Sequence, residues 1–249
     1  MHRAAYAALG IDAVYLAFDV PPDRLRDAVR GAHALGARQL SVSLPHKEAV
    51  IPLLDDVDET ARRIGAVNTI VRDGDRFVGH NTDWLGAVQA LERERGLAGA
   101  RAVVLGAGGA ARGVVFGLLQ RGARVTVLNR TPARAATLAR ELGAHGSGDL
   151  GAIGKARFDV LVNTTSAGLR SDESPVPAAA IPADALVMDA VYEPERTRLL
   201  RDAEACGART IGGKWMLVLQ AAEQFRLWTG REAPVDVMAT AFDRVSPRG

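Results

Sequence analysis

The feature that most narrows what this chain can fold into is the run Val103-Val104-Leu105-Gly106-Ala107-Gly108-Gly109-Ala110-Ala111. A short apolar stretch, residues 101–105, runs into glycines spaced G-x-G-x-x-A. An Ala/Leu-rich amphipathic stretch then continues to residue 122. Strand, glycine turn and helix in that order let the backbone close tightly and aim free helix N–H groups at an anion. The glycines also let a pyrophosphate approach the main chain. A dinucleotide is the expected ligand, cradled by Gly106, Ala107, Gly108, Gly109 and Ala110. The alternative is a glycine turn that merely packs a helix on a strand.

The end of the next strand, residues 124–128, selects among dinucleotides. NAD binders usually carry Asp or Glu there for the ribose 2′-hydroxyl. This chain has Asn129-Arg130-Thr131-Pro132-Ala133-Arg134. Arg130, Thr131 and Arg134 offer two guanidinium groups and a hydroxyl, and arginine pairs with phosphate in a forked geometry. Cations at a helix start are mildly unfavourable against its dipole, which adds weight to a ligand role. NADP is the expected cofactor.

The rest of the chain alternates short β-branched runs with amphipathic stretches, the pattern of parallel βαβ units. Residues 13–18, 39–44, 101–105, 124–128, 158–163 and 185–191 read as strands. Residues 66–83 read as two strands around Asp73-Gly74-Asp75. Residues 22–36, 84–96, 106–122, 132–143, 195–207 and 215–230 read as helices, with another helix start after Pro45. Residues 145–154 read as a loop. The fold class is α/β, and the alternation breaks near Gly96 and again near Gly212-Gly213.

With 249 residues the chain has room for one large domain or two modest ones. Its 31 basic and 29 acidic residues leave a net charge of +2, too balanced for a dedicated nucleic-acid binder. The single cysteine, Cys206, excludes an internal disulfide and suits a reducing cytosol. No apolar run approaches the ~20 residues of a membrane span, and the expected location is cytoplasmic. The histidines show no metal spacing, so no metal is expected.

Two further stretches, SVSLPHKE at residues 41–48 and GHNTDW at 79–84, put polar groups at strand ends, where open α/β sheets bind ligands. Lysine is scarce here, with only Lys47, Lys155 and Lys214, and lysine, unlike arginine, can give up its proton. Lys47 is the candidate proton-transfer group and Asp83 its candidate partner. The bland alternatives are an exposed lysine and an N-cap ahead of Trp84.

SVSLPHKE, GAVNTI, GHNTD, the GAGGAA turn, NRTPAR, DAVYEP and MLVLQAA follow one another in the order of shikimate dehydrogenases, which this chain resembles from Met1 to about Gly230. The resemblance implies two domains with the active site in the cleft between them. Residues 1–83 with 214–249 would hold the substrate, and residues 84–213 would form a Rossmann-like NADP domain. It implies reversible reduction of 3-dehydroshikimate to shikimate by NADPH. By position, Lys47 and Asp83 would be catalytic. Ser43, Asn68, Gln220 and Tyr192 would hold the substrate, with Ser41 nearby. Asn129 would join Arg130, Thr131 and Arg134 at NADP, with Thr164, Gly213 and Met216 near the nicotinamide. The implied partner is a small-molecule substrate alone, with no nucleic acid or membrane, in a monomer or homodimer.

The chain departs from the family pattern at its start. Family members usually carry a strand and a G-x-P-x-x-H-S-x-S-P loop before an M-H-N-A-A-like helix, and this sequence opens at Met1-His2-Arg3-Ala4-Ala5. That segment would supply two serines for the substrate carboxylate and an inner strand. Two other readings follow: a quinate/shikimate dehydrogenase using NAD, which Arg130 and Arg134 oppose, and a non-catalytic NADP-binding paralogue, which Lys47, Asp83, Asn68 and Gln220 oppose. Ser41, Ser43, Arg3, Lys214 and Trp215 are smaller departures. Lys214 and Trp215 read as a surface lysine and a packed indole.

Overall fold

The computed structural model describes residues 1–244. Its first part contains α1 (His2–Ala8), α2 (Leu25–Ala34), β1 (Gln39–Ser41), β2 (Asp56–Val57), α3 (Glu59–Ile64), β3 (Thr69–Asp73) and β4 (Arg76–His80). β3 and β4 form an antiparallel hairpin closed at Asp73 and Arg76. Its turn residue Gly74 has φ +59°, a left-handed conformation that suits glycine. β1 joins β3 antiparallel and β2 joins β4 parallel, in the order β1-β3-β4-β2. Ile70 and Phe77 of the hairpin pack with Val29 of α2 and Ala61 of α3.

The second part adds α4 (Asp83–Glu92), β5 (Arg101–Leu105), α5 (Gly109–Gln120), β6 (Arg124–Leu128), α6 (Pro132–Leu142), β7 (Gly146–Gly148), β8 (Val160–Asn163), β9 (Leu186–Asp189), α7 (Arg198–Ala205) and β10 (Arg209–Ile211). These strands form a parallel sheet in the order β10-β9-β8-β5-β6-β7. β8 and β9 are buried along their whole length, as expected for strands covered on both faces. The chain winds outward in both directions from β5 and β8. Open parallel sheets bind ligands at the carboxyl ends of strands at such a reversal. Two helices close the structure, α8 (Gly213–Thr229) and α9 (Val235–Asp243). α8 returns to lie against α4, where a Cβ on Gly86 would stand only 2.6 Å from the Met216 carbonyl oxygen.

The structure corrects several sequence expectations. Residues 13–18 form no strand, because they find no ladder partner among the described residues; Val14, Leu16 and Phe18 are left exposed. The stretch after Pro45 does not become an α-helix. It makes turns and a short 3-10 helix at Ile51–Leu53, and Pro52 lacks the N–H and the space that a continuing helix needs. The expected loop at 145–154 contains the edge strand β7, whose Gly-Ser-Gly sequence has little strand preference and pairs with β6 through its backbone.

Candidate active site

Lys47 and Asp83 meet. Lys47 Nζ donates to Asp83 Oδ2 at 2.6 Å, with both side chains largely buried. Asp83 is the first residue of α4, and its carboxylate does not cap that helix. The carboxylate also accepts from Asn68 Nδ2 at 2.9 Å on its other oxygen. Asn68 sits just before β3 and is buried. Its amide also reaches Thr82 Oγ1 at 3.0 Å and Gln220 Oε1 at 3.2 Å. Its carbonyl oxygen accepts from the Thr82 amide at 2.8 Å. Gln220 comes from α8 and also meets Thr82 Oγ1 at 3.3 Å, so a third distant part of the chain reaches the carboxylate's partner Asn68.

The opposite wall is α5, which approaches closely because three of its residues lack side chains. A Cβ on Gly109 would lie 2.9 Å from Lys47 Cβ, one on Gly113 would lie 3.1 Å from Asp83 Cβ, and one on Gly117 would lie 2.9 Å from the Trp84 carbonyl. Four-residue spacing puts these glycines on one helix face. That spacing is visible in the sequence, yet Gly113 and Gly117 do not figure among its candidate residues.

The turn between β5 and α5 is built to receive an anion. Gly106 has φ +111°, and a Cβ there would stand 2.5 Å from Thr164 Oγ1. Thr164 follows β8 and donates that hydroxyl to the Leu105 carbonyl at 2.6 Å, tying the two ends of the strand reversal together. Gly108 caps α5 with no side-chain acceptor, no acidic residue lies in the first turn, and nothing stands within 4 Å of a Cβ on Gly108. The first N–H groups of α5, that of Ala110 among them, thus have no side-chain cap among the described residues.

Beyond β6, Asn129 holds its own loop by donating to the Thr131 carbonyl at 3.0 Å. Thr131 starts α6 with its hydroxyl unused as a cap, and Arg130 and Arg134 are exposed. Neither arginine has an ion-pair partner among the described residues. Arg134 and Ala107 line one cavity of about 240 Å³. The residues present thus fit a dinucleotide with a phosphate on its ribose.

Other expected residues take varied positions. Ser43 is exposed near Lys47. Ser41, also exposed, donates to Gln224 Oε1 at 2.9 Å, and Gln224 donates to the Asn68 carbonyl at 3.2 Å. Tyr192 is 42% exposed and its ring meets Phe242 edge-on. Gly213 admits no side chain, since a Cβ would stand 2.6 Å from the Ala190 and Val191 carbonyls. Met216 is buried in the core beside α4. Lys214 pairs with Asp243 at 2.6 Å, and Trp215 packs under Arg93. His46 contacts the Val20 carbonyl and His80 contacts Asp58.

A second buried cluster lies at the ends of β8 and β9. Asp189 accepts from Asn163 Nδ2, Thr197 Oγ1 and the Val191 amide, at 2.9, 2.7 and 3.0 Å. Burial outweighs these bonds and pushes its carboxyl up to about 6. Among the described residues no cluster of His, Cys, Asp or Glu is placed to hold a metal, and no helix is long and apolar enough to cross a membrane.

Known proteins resemble this chain in sequence and in fold. Residues 1–70 match the family model described as Shikimate dehydrogenase substrate binding domain. Residues 89–170 match Shikimate / quinate 5-dehydrogenase, and residues 213–241 match Shikimate 5'-dehydrogenase C-terminal domain. A Thermococcus kodakarensis protein named Shikimate dehydrogenase (NADP(+)) is 50% identical over 237 residues, covering 92% of this chain and 85% of its own length. The chain belongs to the shikimate dehydrogenase family. Within that family it resembles solved structures of more than one described activity. Shikimate 5-dehydrogenase from Thermus thermophilus, in complex with NADP(H) and shikimate, superimposes with TM-score 0.91 at 40% identity, covering 98% of this chain and 92% of that one. Quinate dehydrogenase from Corynebacterium glutamicum, in complex with NAD, superimposes with TM-score 0.86 at 34% identity, covering 98% and 93%.

Proposed function

We propose that this chain is an NADP-dependent shikimate dehydrogenase, interconverting 3-dehydroshikimate and shikimate. The observation that carries the proposal is the Lys47–Asp83 contact of 2.6 Å, packed directly against Gly109 of the dinucleotide turn. A proton-transfer group and a hydride-carrier site thereby face the same space. The relative named Shikimate dehydrogenase (NADP(+)) supports the same reaction.

NADP, when bound, supplies or accepts the hydride at the substrate carbon that bears the oxygen. In reduction, Lys47 delivers one proton to that oxygen; in oxidation it takes the proton back. Asp83 orients the lysine, Asn68 orients Asp83, and Gln220 holds Asn68 in turn. Ser43, Asn68, Gln220 and Tyr192 are the proposed substrate contacts. Gly106–Ala110, Asn129, Arg130, Thr131 and Arg134 are the proposed NADP contacts, with Thr164, Gly213 and Met216 on the nicotinamide side. We assign residues 1–83 with 214–249 to the substrate unit and 84–213 to the NADP unit; the four-stranded sheet uses only residues 39–80 and the six-stranded sheet only 101–211.

NADP is favoured over NAD because no carboxylate follows β6, whereas Arg130, Thr131 and the uncapped start of α6 do. The test is nicotinamide absorbance with shikimate and NADP, run beside quinate and NAD, for the wild type and Lys47→Ala. Turnover with shikimate and NADP, falling by about 10²–10⁴ in the variant, is expected. Binding of NADP without turnover would instead support the non-catalytic paralogue.

A further inference from the structure

Arg112 lies on the first turn of α5, its amide donating to the Gly108 carbonyl at 3.0 Å. Its side chain reaches to α3 and α6. Nε donates to the Ile64 carbonyl at the end of α3, and Nη2 donates to Glu141 Oε2 at 2.7 Å on α6. Only 14% of the side chain is exposed. The guanidinium lies over Gly65, which ends α3 at φ +72° and where a Cβ would stand 2.5 to 2.9 Å from three guanidinium atoms. Gly65 therefore has two reasons to be glycine: a left-handed backbone and the space the arginine fills.

The segment that Arg112 holds leads straight into the substrate side of the site. Ala66 accepts from Asn81 Nδ2 at 2.9 Å. The Val67 amide donates to the Lys47 carbonyl at 2.7 Å, and the Asn68 amide to the His80 carbonyl at 3.0 Å. Asn68 then grips Asp83. Arg112 also lines the cavity shared by Ala107 and Arg134. One residue thus joins the glycine turn, through its backbone amide, to α6 and the segment carrying Asn68, through its side chain. A planar fork spans a carbonyl and a carboxylate at once, which a lysine ammonium on a flexible stem does not reproduce.

We propose that Arg112 is a positioning residue that couples occupancy of the dinucleotide turn to the order of residues 64–68, and through them to Lys47 and Asn68. The proposal rests on the NADP reading above for its ligand, but not on turnover. Truncating Arg112 leaves a separate seam between the same elements: Ile64 and Ala66 still pack on Phe116, and Arg63 still lies over that ring at 5.2 Å. The variants therefore have a packed interface to fold around.

The test is hydrogen exchange of the amides of residues 65, 67 and 68 with and without NADP⁺, in the wild type, Arg112→Ala and Arg112→Lys. Calorimetric titration of NADP⁺ with and without saturating 3-dehydroshikimate, an oxidised pair that cannot exchange a hydride, accompanies it. In the wild type, NADP⁺ is expected to slow exchange at 65–68 as well as at 106–111, and 3-dehydroshikimate to tighten NADP⁺ binding about 5-fold or more. Both variants are expected to bind NADP⁺ and protect 106–111, yet to lose the response at 65–68 and most of the tightening. Wild-type protection that stops at the glycine turn overturns the proposal, as does wild-type transmission in both variants. A wild type that transmits NADP⁺ protection but never oxidises shikimate would fail the activity reading and leave the coupling standing.

Discussion

The Cβ of Lys47 lies 2.9 Å from the point where a Gly109 side chain would begin. The proton-transfer candidate and the dinucleotide turn are thus in contact, with no side chain between them. This glycine does two things at once: it opens α5, and its bare Cα receives the lysine.

Gly109→Ala tests that contact. A methyl there must displace Lys47 near its backbone, where no flexible tip can yield. A misplacement of about 1 Å at a reacting group is worth about 10² in rate, so kcat/KM is expected to fall by that order. Overpacking of this kind costs about 1–3 kcal/mol, so the melting temperature is expected to fall by only a few degrees and the variant to fold. Unchanged kcat/KM in a folded variant would show that the contact is immaterial.

Arg130→Ala and Arg134→Ala test the phosphate site. Neither side chain has an ion-pair partner among the described residues, so its loss leaves no buried charge behind. A hydrogen bond to a charged group is worth about 1.5–3 kcal/mol, so each variant should raise the KM for NADP about 10-fold or more. The KM for NAD should stay within about 2-fold, because NAD lacks the phosphate. Equal effects on both cofactors would count against the assignment.

Asp189 predicts a pH slope in stability. Its carboxyl is pushed up to about 6 from the ordinary 3.8, chiefly by burial. Between those values the folded state holds more protons than the unfolded, so this group's contribution is full below about 4 and is lost as pH rises through 6. Asp189→Asn removes the slope. Its amide can donate to Thr197 Oγ1, leaving its oxygen for Asn163 and Val191. Denaturant unfolding should find the variant more stable than the wild type at neutral pH, by on the order of 2 kcal/mol. The advantage should vanish near pH 4.

His2 acts in the opposite direction over much of the same range. It is buried, stacked on Tyr15 with ring centroids 4.6 Å apart, and its Nδ1 has no hydrogen-bond partner among the described residues. Burial holds it at about 4, below the ordinary 6.5. The unfolded chain therefore binds the extra proton first, and the stability contribution is lost as pH falls from 6.5 through 4. His2→Phe keeps the stack and should flatten that loss, seen as a smaller drop in melting temperature between neutral pH and pH 4. An identical acid profile in the variant would show that other groups dominate.

Legibility in the sequence follows how local the cause is. The glycine turn, β5, β6 and α6 can be read because strand, turn and helix signals are adjacent in the chain. The pairing of Lys47 with Asp83 is suggested by motifs, but the motifs lie 36 residues apart and only the fold brings them together. Residues 13–18 have strand composition and no ladder, while β7 has a ladder and no strand composition. In both cases the neighbour decides, and a neighbour is not a property of the segment.

The sequence by itself determined the α/β alternation, the glycine turn, the basic end of β6 and the chemistry available at Lys47. These follow from short-range rules: side-chain period, glycine freedom and the free N–H groups of a helix start. Only the tertiary structure decided that Gln220 meets Asn68 across 152 residues, that Ser41 serves Gln224, and that Arg112 reaches Ile64. Those contacts depend on how helices from separate parts of the chain approach one another. That approach is governed by packing, here by bare glycine faces at 86, 109, 113 and 117, whose spacing is written in the chain but whose partners are not.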